Sequence, residues 1–148
     1  MFSIVCAVPG NRVAKILSWG DNFAFDKDTL SYEERVMRDL HCKGISVPEP
    51  FGVVPVHYST FTRTFRTPAL IMERINGFNY ERAITHPPYD EQLLEHVDAL
   101  WRQELRRAEQ YYIPWDTEKR NVLYCPQSDK VVLIDFAKWK KNPSGRVQ

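Results

Sequence analysis

Turn chemistry near both ends of this 148-residue chain restricts its possible folds more than any other feature. Near the start, Phe2 to Val8 is mostly apolar, Pro9-Gly10-Asn11 is turn-forming, and Val13 to Leu17 is largely apolar again with Lys15 in its middle. Near the end, Asn121-Val122-Leu123-Tyr124 and Val131-Val132-Leu133-Ile134 flank Pro126-Gln127-Ser128-Asp129. Each pattern predicts a β-hairpin, because Pro, Gly, Asn and Asp supply the backbone angles of a tight reversal. Two helical patterns lie between. Asp28-Thr29-Leu30-Ser31 offers caps to a helix through Tyr32 to Leu40, with Val36, Met37 and Leu40 on one stripe and Gly44 as its stop. A longer pattern starts at Pro87-Pro88-Tyr89-Asp90 and fades near Tyr112; its expected buried stripe is Leu93, Leu94, Val97, Leu100 and Leu105. Val47-Pro48-Glu49-Pro50 is a rigid connector. Phe51 to Tyr58 and Ala69 to Ile75 read as two further strands, joined by a polar Thr/Arg stretch. The order hairpin, helix, two strands, long helix, hairpin predicts an α+β fold rather than a parallel doubly wound sheet.

Composition narrows the function classes. A hydrophobic fraction of 43% and an aromatic fraction of 13% suit a folded domain. Twenty basic and 19 acidic residues leave a net charge of +1, which supplies neither a nucleic-acid grip nor a membrane-surface grip. Cys6, Cys42 and Cys125 are widely spaced and contain no CxxC pair, so a zinc site is not expected. His41, His57, His86 and His96 lack ligand spacing. There is no basic leader followed by a long apolar run, and no apolar stretch nears the ~18 residues of a membrane span. The expectation is a soluble, intracellular protein with no membrane partner.

The chemistry concentrates near the end of the chain. Asp116 stands five residues before Asn121, a hairpin follows, and its second strand runs into Asp135-Phe136. A loop carboxylate, an amide at a strand start and a carboxylate at the hairpin exit can converge. Such oxygen ligands suit Mg²⁺ on nucleotide phosphates, while a separate carboxylate can orient an attacking hydroxyl.

These residues, in this order, resemble the protein-kinase family. Asp116 with Asn121 resembles its catalytic loop, and Asp135-Phe136-Ala137 its metal-binding Asp-Phe-Gly. Val13-Ala14-Lys15 resembles the strand carrying its phosphate-contacting lysine, and Ala69-Leu70-Ile71-Met72-Glu73-Arg74 its last small-lobe strand and hinge. The resemblance implies an antiparallel small lobe with one helix over 1–75, a reduced helical large lobe over 76–141, and a tail over 142–148. It implies ATP and Mg²⁺ as cofactors and a protein partner or substrate. Asp116 would be the catalytic base, Asn121 and Asp135 the metal ligands, and Lys15 the phosphate contact. Glu33 would hold Lys15, with Glu34 as the fallback. Ile71 would sit at the back of the nucleotide pocket, and the backbone around Glu73 to Ile75 would bond the adenine edge.

The chain also departs from the family pattern. Gly10 is the only glycine before Lys15, so the glycine-rich loop is missing or lies before Met1. Pro114 stands where a histidine is expected, and Ala137 replaces the glycine of Asp-Phe-Gly, restricting positive φ there. Only 11 residues follow Ala137, too few for the usual activation segment and later helices. Three readings follow. One is a minimal kinase similar to compact bacterial effector kinases and small fungal kinase-like proteins. Another is a pseudokinase that binds without transfer. The third is a small-molecule kinase similar to aminoglycoside and choline phosphotransferases.

Overall fold

The computed structural model describes residues 2–18, 27–85 and 90–143. His86, the Pro87-Pro88-Tyr89 start expected for the long helix, and residues 144–148 of the tail lie outside them. The described chain is mixed α and β with antiparallel sheets. It divides into two compact units, Met1–Arg38 with Glu49–Arg74, and Asp39–Pro48 with Ile75–Gln148.

The first unit holds a four-stranded sheet of order β1-β2-β4-β3. β1 (Phe2–Val8) and β2 (Arg12–Ser18) form the expected first hairpin. Its turn needs positive φ at Gly10 (+86°) and Asn11 (+57°), two residue types that enter that region at low cost. β3 (Pro50–Ser59) and β4 (Thr64–Glu73) form a second hairpin, longer than the sequence predicts. The polar Thr/Arg stretch is mostly strand, and the reversal shrinks to Thr60–Arg63, closed by a 2.8 Å backbone bond. The reason is alternation: Thr64 and Arg66 are exposed while Phe65 and Thr67 turn inward, as a strand with one dry face requires.

Register divides this sheet into two faces. Ala14, Ile16 and Ala69 are buried on one, packed by Val56, Tyr58 and Ile71. Lys15 and its cross-strand partner Leu70 lie on the other. Pro55 and Pro68 face each other across the β3–β4 ladder. Neither has an N–H, so they can oppose only at a non-hydrogen-bonded pair, and the missing donor of Pro68 then falls on the β2 side. The β2–β4 ladder accordingly stops at Lys15 opposite Leu70.

Helix α1 (Lys27–Cys42) starts one residue before the expected caps, so Asp28 to Leu30 lie in its first turn. Leu30, Val36, Met37 and Leu40 are its buried stripe. It ends at Gly44 (φ +76°), where the Ile45 N–H reaches back to the Leu40 carbonyl at 3.0 Å, a Schellman-type closure.

The second unit contains α2 (Tyr80–Thr85), α3 (Glu91–Glu109), and a sheet of β5 (Phe78–Asn79), β7 (Val122–Cys125) and β8 (Lys130–Leu133). A short ribbon pairs β6 (Tyr112–Ile113) with β9 (Lys140–Lys141). Asp90 caps α3 by accepting from the Gln92 and Leu93 N–H groups. The expected stripe of α3 is only partly right. Val97 is buried, but Leu93 is exposed, and Leu94, Leu100 and Leu105 are half-buried; Glu104 and Ala108 take the innermost places.

Glu104 is buried because it serves a loop. Its Oε1 accepts the Ser46 N–H at 2.6 Å, and both of its carboxylate oxygens accept from Arg107 Nη1 at 2.9 and 3.1 Å. Arg107 Nη2 donates to the Gly44 carbonyl at 3.0 Å. Ser46 in turn accepts the Leu133 N–H at 2.9 Å and donates its hydroxyl to the Val131 carbonyl at 2.5 Å. The segment after α1 is therefore tied to both α3 and β8. Glu104→Ala should destabilise the chain by about 1–3 kcal/mol, the usual result of leaving a buried donor unpaired. Urea unfolding measures this, and a change under about 0.5 kcal/mol would contradict the assigned tie.

Candidate functional site

In the first unit, Lys15 and Glu33 are brought together. Lys15 Nζ lies 2.8 Å from Glu33 Oε1 and 2.9 Å from Oε2. Lys15 is 5% exposed and Glu33 1% exposed, so both charges have left water. Lys15 stands on an inner strand, on the sheet face shared with Leu70. Glu33 interrupts the apolar stripe of α1 between Leu30 and Val36, which aims a carboxylate where a leucine would otherwise pack. Its neighbour Glu34 instead pairs with Arg38 one turn on. Adjacent helical side chains diverge by about 100°, so only one of the two acids can share the Lys15 face.

Ile71 is not where the resemblance puts it. It pairs across the ladder with Ala14 and packs into the Ala14, Ile16 and Ala69 cluster, on the face opposite Lys15. Strand alternation is the cause, and it gives the Lys15 face to Met72, the partner of Val13. At the end of β4, the Glu73 N–H donates to the Glu49 carbonyl (2.9 Å) and the Arg74 N–H to the Asn11 carbonyl (3.1 Å). Among the described residues, the Ile75 N–H has no such backbone partner.

In the second unit, the hairpin brings Asn121 beside the entry to Asp135. Val122 pairs with Leu133, and the Ile134 N–H donates to the Asn121 carbonyl at 3.1 Å. Asp135 is the next residue. A 3-10 turn at Lys119–Asn121 leads into β7, and Asn121 Nδ2 donates to the Asp116 carbonyl at 2.8 Å. That bond links both ends of the Asp116–Asn121 loop. Asp116 (φ +56°) and Asp135 (φ +69°) both occupy the left-handed region, which a short polar side chain tolerates but seldom adopts. The positive φ of this segment thus falls on Asp135, not on Ala137. Backbone strain of this kind clusters at functional positions.

Three side chains that the sequence did not single out shape this loop. Arg120 Nη2 lies 3.0 Å from each carboxylate oxygen of Asp116, so the acid is held by a guanidinium four residues on. The Trp139 indole donates to the Trp115 carbonyl at 3.1 Å and packs edge-on against Phe136, with ring centroids 4.9 Å apart. Phe136 is fully buried, so Trp139 ties the Asp135 segment to the backbone beside Asp116. Glu104 acts at longer range, through Ser46 onto β8. Arg120 was legible as an i,i+4 partner of Asp116. Trp139 was legible only as an aromatic residue with an N–H to satisfy. Asp116 and Asn121 line one small crevice with Ile134, Trp101, Leu105 and Trp139; Asp135 lies just outside that lining.

Among the described residues, no group of three or more His, Cys, Asp or Glu side chains could hold a metal ion. Asn121 and Asp135 offer at most three side-chain oxygen donors, one from the amide and two from the carboxylate. That is too few for a protein-only cage, but it fits Mg²⁺, which normally keeps waters and shares substrate phosphates. Among the described residues, no helix is long and apolar enough to cross a membrane.

No family model and no curated protein matches the chain. Among solved structures, the chain is similar to the bifunctional kinase-methyltransferase WbdD, with a TM-score of 0.50 and 18% identity. The match covers 91% of this chain and 29% of that one. At that identity the likeness bears on the fold alone.

Proposed function

We propose that this chain is a reduced protein-kinase-like domain that transfers the γ-phosphoryl group of ATP to a hydroxyl, with Mg²⁺ as cofactor. The observation that carries the reading is the buried Lys15–Glu33 pair. Well-packed apolar residues often serve stability as well as a buried ion pair does, so a fully desolvated pair calls for a use. Fixing an ammonium to meet phosphate oxygens is such a use. The likeness in fold to a bifunctional kinase-methyltransferase supports the same reading.

In this account residues 1–75 act as small lobe and hinge, and 76–141 as a reduced large lobe. Lys15 binds nucleotide phosphate and Glu33 fixes its direction. The Ile75 N–H, with the backbone at Glu73, receives the adenine edge. Asn121 and Asp135 hold Mg²⁺, which when bound neutralises charge on the phosphates. Asp116 accepts the proton of the acceptor hydroxyl as that oxygen bonds to the γ-phosphorus. The bond from the γ-phosphorus to the bridging oxygen breaks, and ADP leaves. We take the acceptor to be a hydroxyl on a protein. ATP is an intracellular solute, so this activity belongs inside the cell.

Arg120 supports a second reading. Both carboxylate oxygens of Asp116 are occupied by the Arg120 guanidinium, and a binding module without transfer would tolerate that arrangement. Nucleotide titrations separate the two readings. Asp135→Asn should weaken ATP binding at least about tenfold in the presence of Mg²⁺, because a charged oxygen ligand is lost. Equal wild-type affinity with and without Mg²⁺ would favour the pseudokinase.

A further inference from the structure

A second concavity lies wholly within the first unit. It measures about 340 Å³, within the range of ligand-binding pockets. Its floor is formed by Val53, Pro55 and Pro68, which register places on the same sheet face as Leu70. Among the described residues, Val54 and Thr67 also line it, and Lys27 and Arg66 stand at its rim. None of these residues has a part in the phosphate chemistry described above.

Three observations define what fits there. First, the floor is rigid. Two proline rings side by side across a ladder have almost no rotamer freedom to lose, so little ordering cost opposes a ligand. Second, the described rim is cationic. Both cations are exposed, and among the described residues neither has an acidic partner. The residue opposite Arg66 is His57, not an acid. Third, the site does not suit strand addition. β3 is an edge strand, but the non-hydrogen-bonded pairing of the two prolines turns the missing donor of Pro55 toward that outer edge. A partner must therefore bind through side chains seated in the concavity.

We infer that this concavity is a docking site for a partner protein's acidic-hydrophobic peptide segment, in which an apolar side chain fills the proline-floored pocket and flanking carboxylates meet Lys27 and Arg66. The chain's own tail does not match, since residues 142–148 carry Arg146 and no acid. The site is independent of the nucleotide reading, and either can fail alone.

The test uses the full chain and a fluorescein-labelled hexapeptide of alternating glutamate and phenylalanine. Anisotropy should show saturable binding with a dissociation constant of roughly 10–100 μM. Replacing the glutamates by lysine, or the phenylalanines by serine, should weaken it by about tenfold or more, since each removes half of the complementarity. The double substitution Lys27→Glu with Arg66→Glu should do the same while leaving ATP binding unchanged. In case charge reversal disturbs the fold, amide chemical shifts of the unmodified chain give a second readout. They should move at Val53, Val54, Arg66 and Thr67 on peptide addition. No saturation by about 1 mM peptide would overturn the proposal, as would equal binding of the lysine or serine peptide, or shifts centred elsewhere.

Discussion

Asp116→Ala should lower phosphoryl transfer by on the order of 10²-fold or more while leaving ATP affinity nearly intact. Asp116 is assigned to the acceptor hydroxyl, not to the nucleotide, so its loss acts on the chemical step. Its backbone is held independently, by Asn121 on its own carbonyl and by Trp139 on the carbonyl of Trp115, so truncation should not collapse the loop. Arg120 gives the substitution a control. Releasing its guanidinium with Arg120→Ala removes the ion pair but leaves the carboxylate, and transfer should then fall less than in Asp116→Ala. Both variants are compared by single-turnover transfer from labelled ATP, with nucleotide affinity measured in parallel. If affinity falls in step with transfer, Asp116 belongs to nucleotide binding and the role assigned to it is wrong.

Lys15→Met should cost about 3–5 kcal/mol of stability, because it leaves the Glu33 carboxylate buried without its countercharge. Glu33 is 1% exposed, so water cannot easily replace the ammonium. The double variant Lys15→Met with Glu33→Leu removes both charges and should recover most of that loss, since an apolar pair fits the stripe of Leu30, Val36 and Met37. Neither variant should bind ATP. Urea unfolding of the single and double variants, analysed as a thermodynamic cycle, gives the coupling directly. A Lys15→Met chain within about 0.5 kcal/mol of the parent would mean that the pair is not closed off from solvent as described.

Much of this was legible in the sequence, and the failures share physical causes. The two terminal hairpins could be read because Pro9-Gly10-Asn11 and Pro126 to Asp129 have few alternatives to a turn. Glu33 could be read because the resemblance to the protein-kinase family puts an acid at that distance from Leu40, and the structure brings it to Lys15. Ile71 could not be placed by spacing alone, because a one-residue shift in a strand moves a side chain to the opposite face. Register against Ala14 settles it. The length of the β3–β4 hairpin was hidden by polarity, since Thr64 and Arg66 mark an exposed strand face as readily as a loop. The face of α3 was misjudged for a different reason. Leucines at helical spacing draw attention, whereas Glu104 is inside because Ser46, 58 residues earlier, needs an acceptor. Periodicity within one helix cannot reveal a partner that far away in sequence.

The most direct test of the central claim is ATP binding by the unmodified chain, followed by thermal unfolding with and without Mg²⁺. At about 100 times the dissociation constant, ATP with Mg²⁺ should stabilise the fold by about 2.7 kcal/mol. ATP with chelator should stabilise it much less, and Lys15→Ala should abolish the Mg²⁺-dependent part. A wild-type chain whose unfolding is unmoved by millimolar ATP, with Mg²⁺ present, would contradict the account.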